Sequence, residues 1–366
     1  SYGISFDILE LQRKTFLPYE WLGLFIKAPF AIFKSSPKEK IYVVEVDCDR
    51  PGEGKFLGTL LAPEITLWLN SSRTHSMNFD EAVQEKRFAS IEKAVAHEFG
   101  NLLAHTSELA IVNGDSDLID AELHRTKAQI RKICKTDHFQ EYQITSLGQT
   151  RFRIDGKDYS FNYLLPEDTF YSIKMTLELV EYLKVAPDYS FSEFTLPPGR
   201  SSVFKGIKDI TIVDSSYNAN LDSMRVILDM FNKIPAKIKC AVLGDMIEQG
   251  KSEKEEHEKL AELLLSYNFD RVILMGPRLS KYAYPKLETL SSHFSPLGIR
   301  VIEKFINPSE VLEYLQANIQ GGETILFKGA RFLEGVVEHL LADKENVKKL
   351  CRQEKVWKIR RRQWGL

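Results

Sequence analysis

A chain of 366 residues is long enough for about two domains, and its 43% hydrophobic content supplies a full core. A net charge of −2 gives no general attraction to nucleic acid or to an anionic membrane. Cys48, Cys134, Cys240 and Cys351 are far apart and form no CxxC, which suits reduced thiols in a cytoplasm better than a disulfide framework or a zinc site.

The first apolar run, WLGLFIKAPFAIF, is short and carries Lys27 and Pro29, so it reads as a half-buried segment, with no stable membrane insertion. KIYVVEVDCD and EITLWLN read as strands bounded by Pro, Gly and Asp. From Asp80 the spacing of Val83, Phe88, Ile91, Val95 and Phe99 predicts one long helix. LAIVNGD is a further strand. Asp155-Gly156 predicts a tight hairpin turn inside TRFRIDGKDYSFNYLL. A helix follows from about Glu167 to Leu183, and then VAPDYSFSEFTLPPGR, with three prolines before Gly199, reads as a linker.

Beyond the linker, strands (ITIVD, KCAVLGD, RVILMG, RVIEKF, TILFKG) alternate with helical runs such as EKEEHEKLAELLLSY and LEGVVEHLL. That alternation predicts a mostly parallel sheet covered on both faces, with ligands beyond the carboxyl ends of its strands. Polar clusters fall at those ends. ITIVDSSYNANLDSM runs from a strand through Asp214, Ser215, Tyr217, Asn218 and Asn220 into a helix. These groups suit a ribose or a cation-bound ligand; the alternative is that they build the turn and cap the helix. In the first half, Glu45 interrupts a buried-type strand, Asn70 ends the next, and His75 follows; Glu45 and His75 are candidate ligands of a divalent cation. The alternative there is a salt-bridged Glu and a loop His. PGEGKF resembles a phosphate loop but has Asp49 and Phe56 where GxxxxGK[ST] needs Gly and Ser or Thr.

These stretches resemble the Mur ligase family, and within it the ligases that add D-alanyl-D-alanine. VDSSYNAN is similar to the DDSYNANP signature, VVEVDCDRPGE to ElG…pGe, LNSSRTH to TNvgpaH, and VNGDSD to VNaDD. LPPGR is similar to the pGR that opens the C-terminal domain, AVLGDMIEQG followed by His257 to vLGdMlELG…H, and ILFKGAR to vLvKGSR. The resemblance implies an α/β fold. A central ATPase-type domain lacking its phosphate loop would span residues 1–190, a Rossmann-like C-terminal domain 191–345, and a basic tail 346–366. It implies an enzyme using ATP and Mg2+ that activates the terminal carboxylate of UDP-N-acetylmuramoyl-tripeptide as an acyl phosphate. The amine of D-alanyl-D-alanine then attacks, in peptidoglycan synthesis. A cytoplasmic monomer with no nucleic-acid partner is expected.

Carried over by position, Glu45 and His75 would hold a metal, and Lys86, eleven residues past His75, would be a carbamoylated lysine beside it. Asn70, Arg200, Asp214, Tyr217, Asn218 and Asn220 would serve the nucleotide, and Lys328 and Arg331 the substrate. Thr169 and Ser172 stand where the family has the two Asn of an adenine-side HNxxN, so those contacts would come from hydroxyls. SYGISFDIL is similar to the segment that follows the family's phosphate loop, so that loop is expected upstream and residues 1–366 alone are expected to be catalytically dead. Residues 11–38 read as an insertion, and the basic WKIRRRQWGL as a solvated terminus. Two other readings stay open: a non-catalytic scaffold or regulatory protein of the same fold, and a related amide ligase using another amine.

Overall fold

The computed structural model describes residues 2–12, 18–33, 41–73, 75–293, 299–330 and 332–366. Three sheets organise the chain. The first is parallel, β1 (Ile65–Trp68), β2 (Leu109–Asn113) and β3 (Gln129–Ile133), in that order. β2 is central, and Leu109, Ala110, Ile111 and Val112 are all buried, as expected for a strand covered on both faces. Ala110 and Val112 pack with Leu103 of the helix Ile91–Ala104. Leu109 and Ile111 face the second sheet and Phe170 of the helix Thr169–Tyr182.

That second sheet is antiparallel: β4 (Phe139–Ser146), β5 (Gln149–Ile154) and β6 (Lys157–Phe161). Asp155 and Gly156, both with positive φ, make the β5–β6 turn as the sequence indicates.

The third sheet has strand order β11-β10-β9-β12-β8-β7. Its strands are β7 (Ser202–Lys205), β8 (Thr211–Ser215), β9 (Lys239–Gly244), β10 (Arg271–Met275), β11 (Val301–Phe305) and β12 (Thr324–Lys328). Only β7, at the edge, runs antiparallel. Successive residues divide between two cores, as a two-residue period requires. Ala241 and Leu243 join Met224, Phe231 and Leu260 on one face, while Cys240 and Val242 join Val311, Leu315 and Val337 on the other. β12, last in the chain, inserts between β8 and β9, so the carboxyl ends of these three strands stand side by side. The backbones nearly touch there: a Cβ on Gly329 would lie 2.4 Å from the Gly244 carbonyl oxygen, and φ at Gly329 is +134°.

Several expectations need correction. Of KIYVVEVDCD, the described residues 41–49 form no strand, and Glu45 is exposed. The long helix from Asp80 is broken: one turn, Asp80–Gln84, is separated from Ile91–Ala104, where Ser90 caps the new helix by accepting from the Lys93 amide. Lys86 sits in the break with φ +58°. PGEGKF opens the helix Glu53–Leu61, whose Gly54 and Lys55 amides donate to the Glu98 carboxylate at 2.8 and 3.3 Å. The chain's own anion therefore fills the position a phosphate would take. The tail is docked on one side, although Lys358, Ile359, Arg360 and Arg362 stay exposed. Its helix Lys355–Arg362 buries Arg361, and Trp357 and Trp364 both pack on Phe332. No helix among the described residues is long and apolar enough to cross a membrane.

Candidate nucleotide and metal site

Two segments from different lobes meet at His75. After β1, residues 69–73 lead to His75, which takes φ +45° before the short helical turn Ser76–Phe79. From the other side, the loop after β9 brings Glu248, also at positive φ. His257 shapes that loop. Its Nδ1 bonds the Glu253 carbonyl at 2.6 Å and its Nε2 accepts from the Met246 amide at 3.3 Å. Complete burial pushes the His257 pKa down, so the ring acts as a neutral brace.

His75 Nε2 lies 3.1 Å from Asp49 and 3.6 Å from Asp47, and Nδ1 lies 2.5 Å from Glu248. Its pKa is raised to about 9, first by the hydrogen bond with Asp47, with the charges of Asp49 and Glu248 adding to it against partial burial. One ligand atom each from Asp47, Asp49 and His75 lie within 4.8 Å of one another. Two carboxylates and one imidazole form a donor set that suits a divalent cation, with oxygen predominating. Glu45 does not join it; the carboxylates two and four residues further on do. Lys86 is exposed on its turn, and no hydrogen bond or ion pair joins it to these three residues. Asn70 is exposed two residues beyond β1, and its carbonyl accepts from Trp68 Nε1.

Arg73 fastens the same joint. Buried to 9% exposure, it pairs with Glu92 of its own lobe at 3.1 Å and with Glu256 of the other at 2.7 Å, and donates to Ser252. Its carbonyl accepts from Asn220 Nδ2 at 2.7 Å. Asn220 is otherwise the cap of the helix Leu221–Lys233, in a reciprocal box with Ser223, so the capping alternative describes this residue.

At the carboxyl ends of β8 and β12, Asp214 is fully buried. One of its oxygens accepts from the Ser216 amide at 3.0 Å, and the other has no hydrogen-bond partner. Burial drives its pKa up. Tyr217 is exposed, with the Arg200 guanidinium 4.5 Å from its ring centre. Asn218 is also exposed; its carbonyl accepts from Lys328 Nζ at 2.5 Å. Lys328 is 5% exposed, and its pKa is lowered to about 7 by burial and then by the Arg200 charge. Arg331 lies outside the described residues.

Thr169 and Ser172 line a separate cavity of about 450 Å3 between their helix and the linker. Phe161, Phe191 and Phe194 supply its aromatic walls. The linker is folded by Asp188, whose carboxylate accepts from the amides of Ser190 and Ser192 at 2.9 and 2.7 Å. A mostly apolar cavity with hydroxyls in its lining has the chemistry to hold a heteroaromatic ring. Sequence reasoning missed Asp47, Asp49, Glu248, Arg73 and this aromatic wall. Of these, only the Asp47–Asp49 spacing carried a local signal.

Residues 199–331 match the Mur ligase, glutamate ligase domain. Two relatives are UDP-N-acetylmuramoyl-tripeptide–D-alanyl-D-alanine ligases. The one from Rickettsia prowazekii is 22% identical over 79% of this chain and 63% of its own length. The one from Borreliella burgdorferi is 24% identical over 89% of this chain and 68% of its own. The chain thus spans about two thirds of the curated relatives it matches. Among solved structures, the MurF ligase of Thermotoga maritima in complex with ADP superposes with a TM-score of 0.68 at 21% identity, covering 94% of this chain and 77% of that one. MurF from Acinetobacter baumannii gives 0.71 at 18%, covering 86% and 68%. Residues 199–331 thus match a Mur ligase domain, and the chain shares the fold of the MurF structures over most of its length.

Proposed function

We propose that this protein is an ATP-dependent amide ligase that joins D-alanyl-D-alanine to UDP-N-acetylmuramoyl-tripeptide through an acyl phosphate. The reading divides the chain into a central ATP-binding domain (1–190), a C-terminal domain (191–345) and a tail. The observation that carries it is the joint at His75. Asp47, Asp49 and His75 from one lobe meet Glu248 from the other, so a cation-binding set sits where two substrates from two lobes would have to meet.

Asp47, Asp49 and His75 would hold Mg2+, which supplies charge neutralisation on phosphoryl oxygens. Arg200 presents an exposed guanidinium to an anionic group, and Lys328 stands behind it with a proton it releases near neutral pH. The cavity at Thr169 and Ser172 would take the adenine ring. Joint closure by Arg73 would exclude water from the intermediate.

The test is phosphate release from ATP by the full-length protein with both UDP-N-acetylmuramoyl-tripeptide and D-alanyl-D-alanine present, and with each left out. Release that needs both supports the ligase. Binding of the tripeptide precursor without release under any condition overturns it in favour of a binding protein.

A further inference from the structure

The loop after β8 depends on a residue far outside the matched domain. The carbonyls of Ser216 and Tyr217, just past β8, are taken by the Arg352 guanidinium: Nη2 donates to Tyr217 at 2.6 Å and Nη1 to Ser216 at 3.4 Å. The same guanidinium lies 5.4 Å from the Tyr217 ring centre and 5.3 Å from that of Trp357. It also faces Glu334 at 3.6 Å. Glu334 is fully buried and neither of its oxygens has a hydrogen-bond partner, like one oxygen of Asp214. Burial pushes the Glu334 pKa up, and the neighbouring Arg352 charge, with that of Arg361, opposes that shift. Beside Arg352, Cys351 packs on the turn, 3.7 Å from Ser216 Oγ and 3.1 Å from where a Cβ on Gly199 would stand.

Arg352 is thus spent on holding the loop, while Arg200, carried on the same Tyr217 ring, is exposed and makes no ion pair among the described residues. We infer that Arg352 is a positioning residue: the C-terminal segment uses it to fix Tyr217, so that Arg200 meets the phosphate groups of the nucleotide. This rests on the nucleotide site proposed above. A lysine cannot reach two carbonyls and stack as a plane, so it would replace Arg352 only in part.

Calorimetric titration of the full chain with ADP and with adenosine separates phosphate recognition from recognition of the ring. In wild type, ADP is expected to bind more tightly than adenosine. R352Q lowers ADP affinity by roughly tenfold, the scale of a lost charge-assisted contact, and leaves adenosine unchanged. R352K falls between the two. W364A, which loosens the tail from Phe332 without touching the loop, keeps the wild-type ratio. Equal loss of ADP and adenosine in R352Q, an unchanged ratio in R352Q, or a W364A ratio as low as that of R352Q overturns the inference alone. If R352Q does not fold by circular dichroism, a wild-type ratio in R352K does the same. A wild-type chain that binds neither compound takes away the nucleotide site itself, and the inference with it.

Discussion

Glu248 crosses from the third sheet's lobe to His75, placing Oε2 2.5 Å from the imidazole Nδ1, while the opposite nitrogen of that ring faces Asp49 at 3.1 Å. One imidazole is therefore shared by acids from both halves of the protein. If the cluster holds a divalent cation, Asp47→Ala and Asp49→Ala each weaken Mn2+ binding by at least roughly tenfold, the lower end of the loss seen when even an outer-shell partner of a metal ligand is removed. Glu45→Ala leaves it unchanged, because Glu45 is exposed and outside the cluster. Electron paramagnetic resonance of free Mn2+ reads the difference. Loss of binding in Glu45→Ala with retention in Asp49→Ala would reverse the assignment.

Arg73 is the mechanical counterpart of that joint. Its pair with Glu256 is nearly dry, with side chains 10% and 4% exposed, and removing one partner of a buried pair strands the other. Lys259 also reaches Glu256, at 3.1 Å, and softens the loss. Arg73→Met is expected to cost roughly 3 kcal/mol in urea unfolding. Glu92→Gln, which removes the half-exposed partner, is expected to cost under about 1 kcal/mol. Equal effects from the two substitutions would show that Arg73 is not anchored across the lobes.

The third sheet was legible because its information is local. Each strand is a run of β-rich apolar residues, and each helix has an apolar stripe that the opposing face of the sheet buries. The acidic cluster around His75 was legible only in part. His75 carried a spacing from Asn70, but nothing local distinguishes Glu45 from Asp47 and Asp49 once the segment is not a strand and its two-residue alternation no longer sets which side chain points inward. The helix break at 85–90 was hidden because its apolar residues keep a helical rhythm across it, while Ser90 caps the next helix. Glu248, Arg73 and Arg352 act across sequence separations of over one hundred residues, and no periodicity encodes such contacts.

The aromatic slot at the linker makes a separate claim. Phe161, Phe191 and Phe194 form its walls, and Thr169 and Ser172 its polar rim. Phe194→Ala is expected to weaken adenosine binding by about 1–3 kcal/mol, the range for losing one aromatic stacking partner. Thr169→Val, which removes a hydroxyl and keeps the shape, is expected to discriminate adenosine from inosine less well. Calorimetry with the two nucleosides checks both. Unchanged binding in Phe194→Ala would move the ring elsewhere.

Lys328 makes stability depend on pH in a direction that can be worked out. Its pKa is lowered from 10.5 to about 7 by burial and by Arg200, so between these values the unfolded chain holds a proton that the folded chain has released. Stability rises with pH across that window, by up to about 1.4 kcal/mol per unit, and the destabilisation is fully present below about pH 7, where the buried amine must carry its charge. His75 works in the opposite sense. Its pKa is raised from 6.5 to about 9, so its contribution is complete below 6.5 and lost as pH climbs through 9. Comparing wild type with Lys328→Met cancels the His75 part, because that ring is present in both. The stability of wild type relative to Lys328→Met is therefore expected to increase steadily from pH 7 to 10. A flat difference would mean that Lys328 keeps its proton in the folded protein, and that the amine at the end of β12 is a fixed cation.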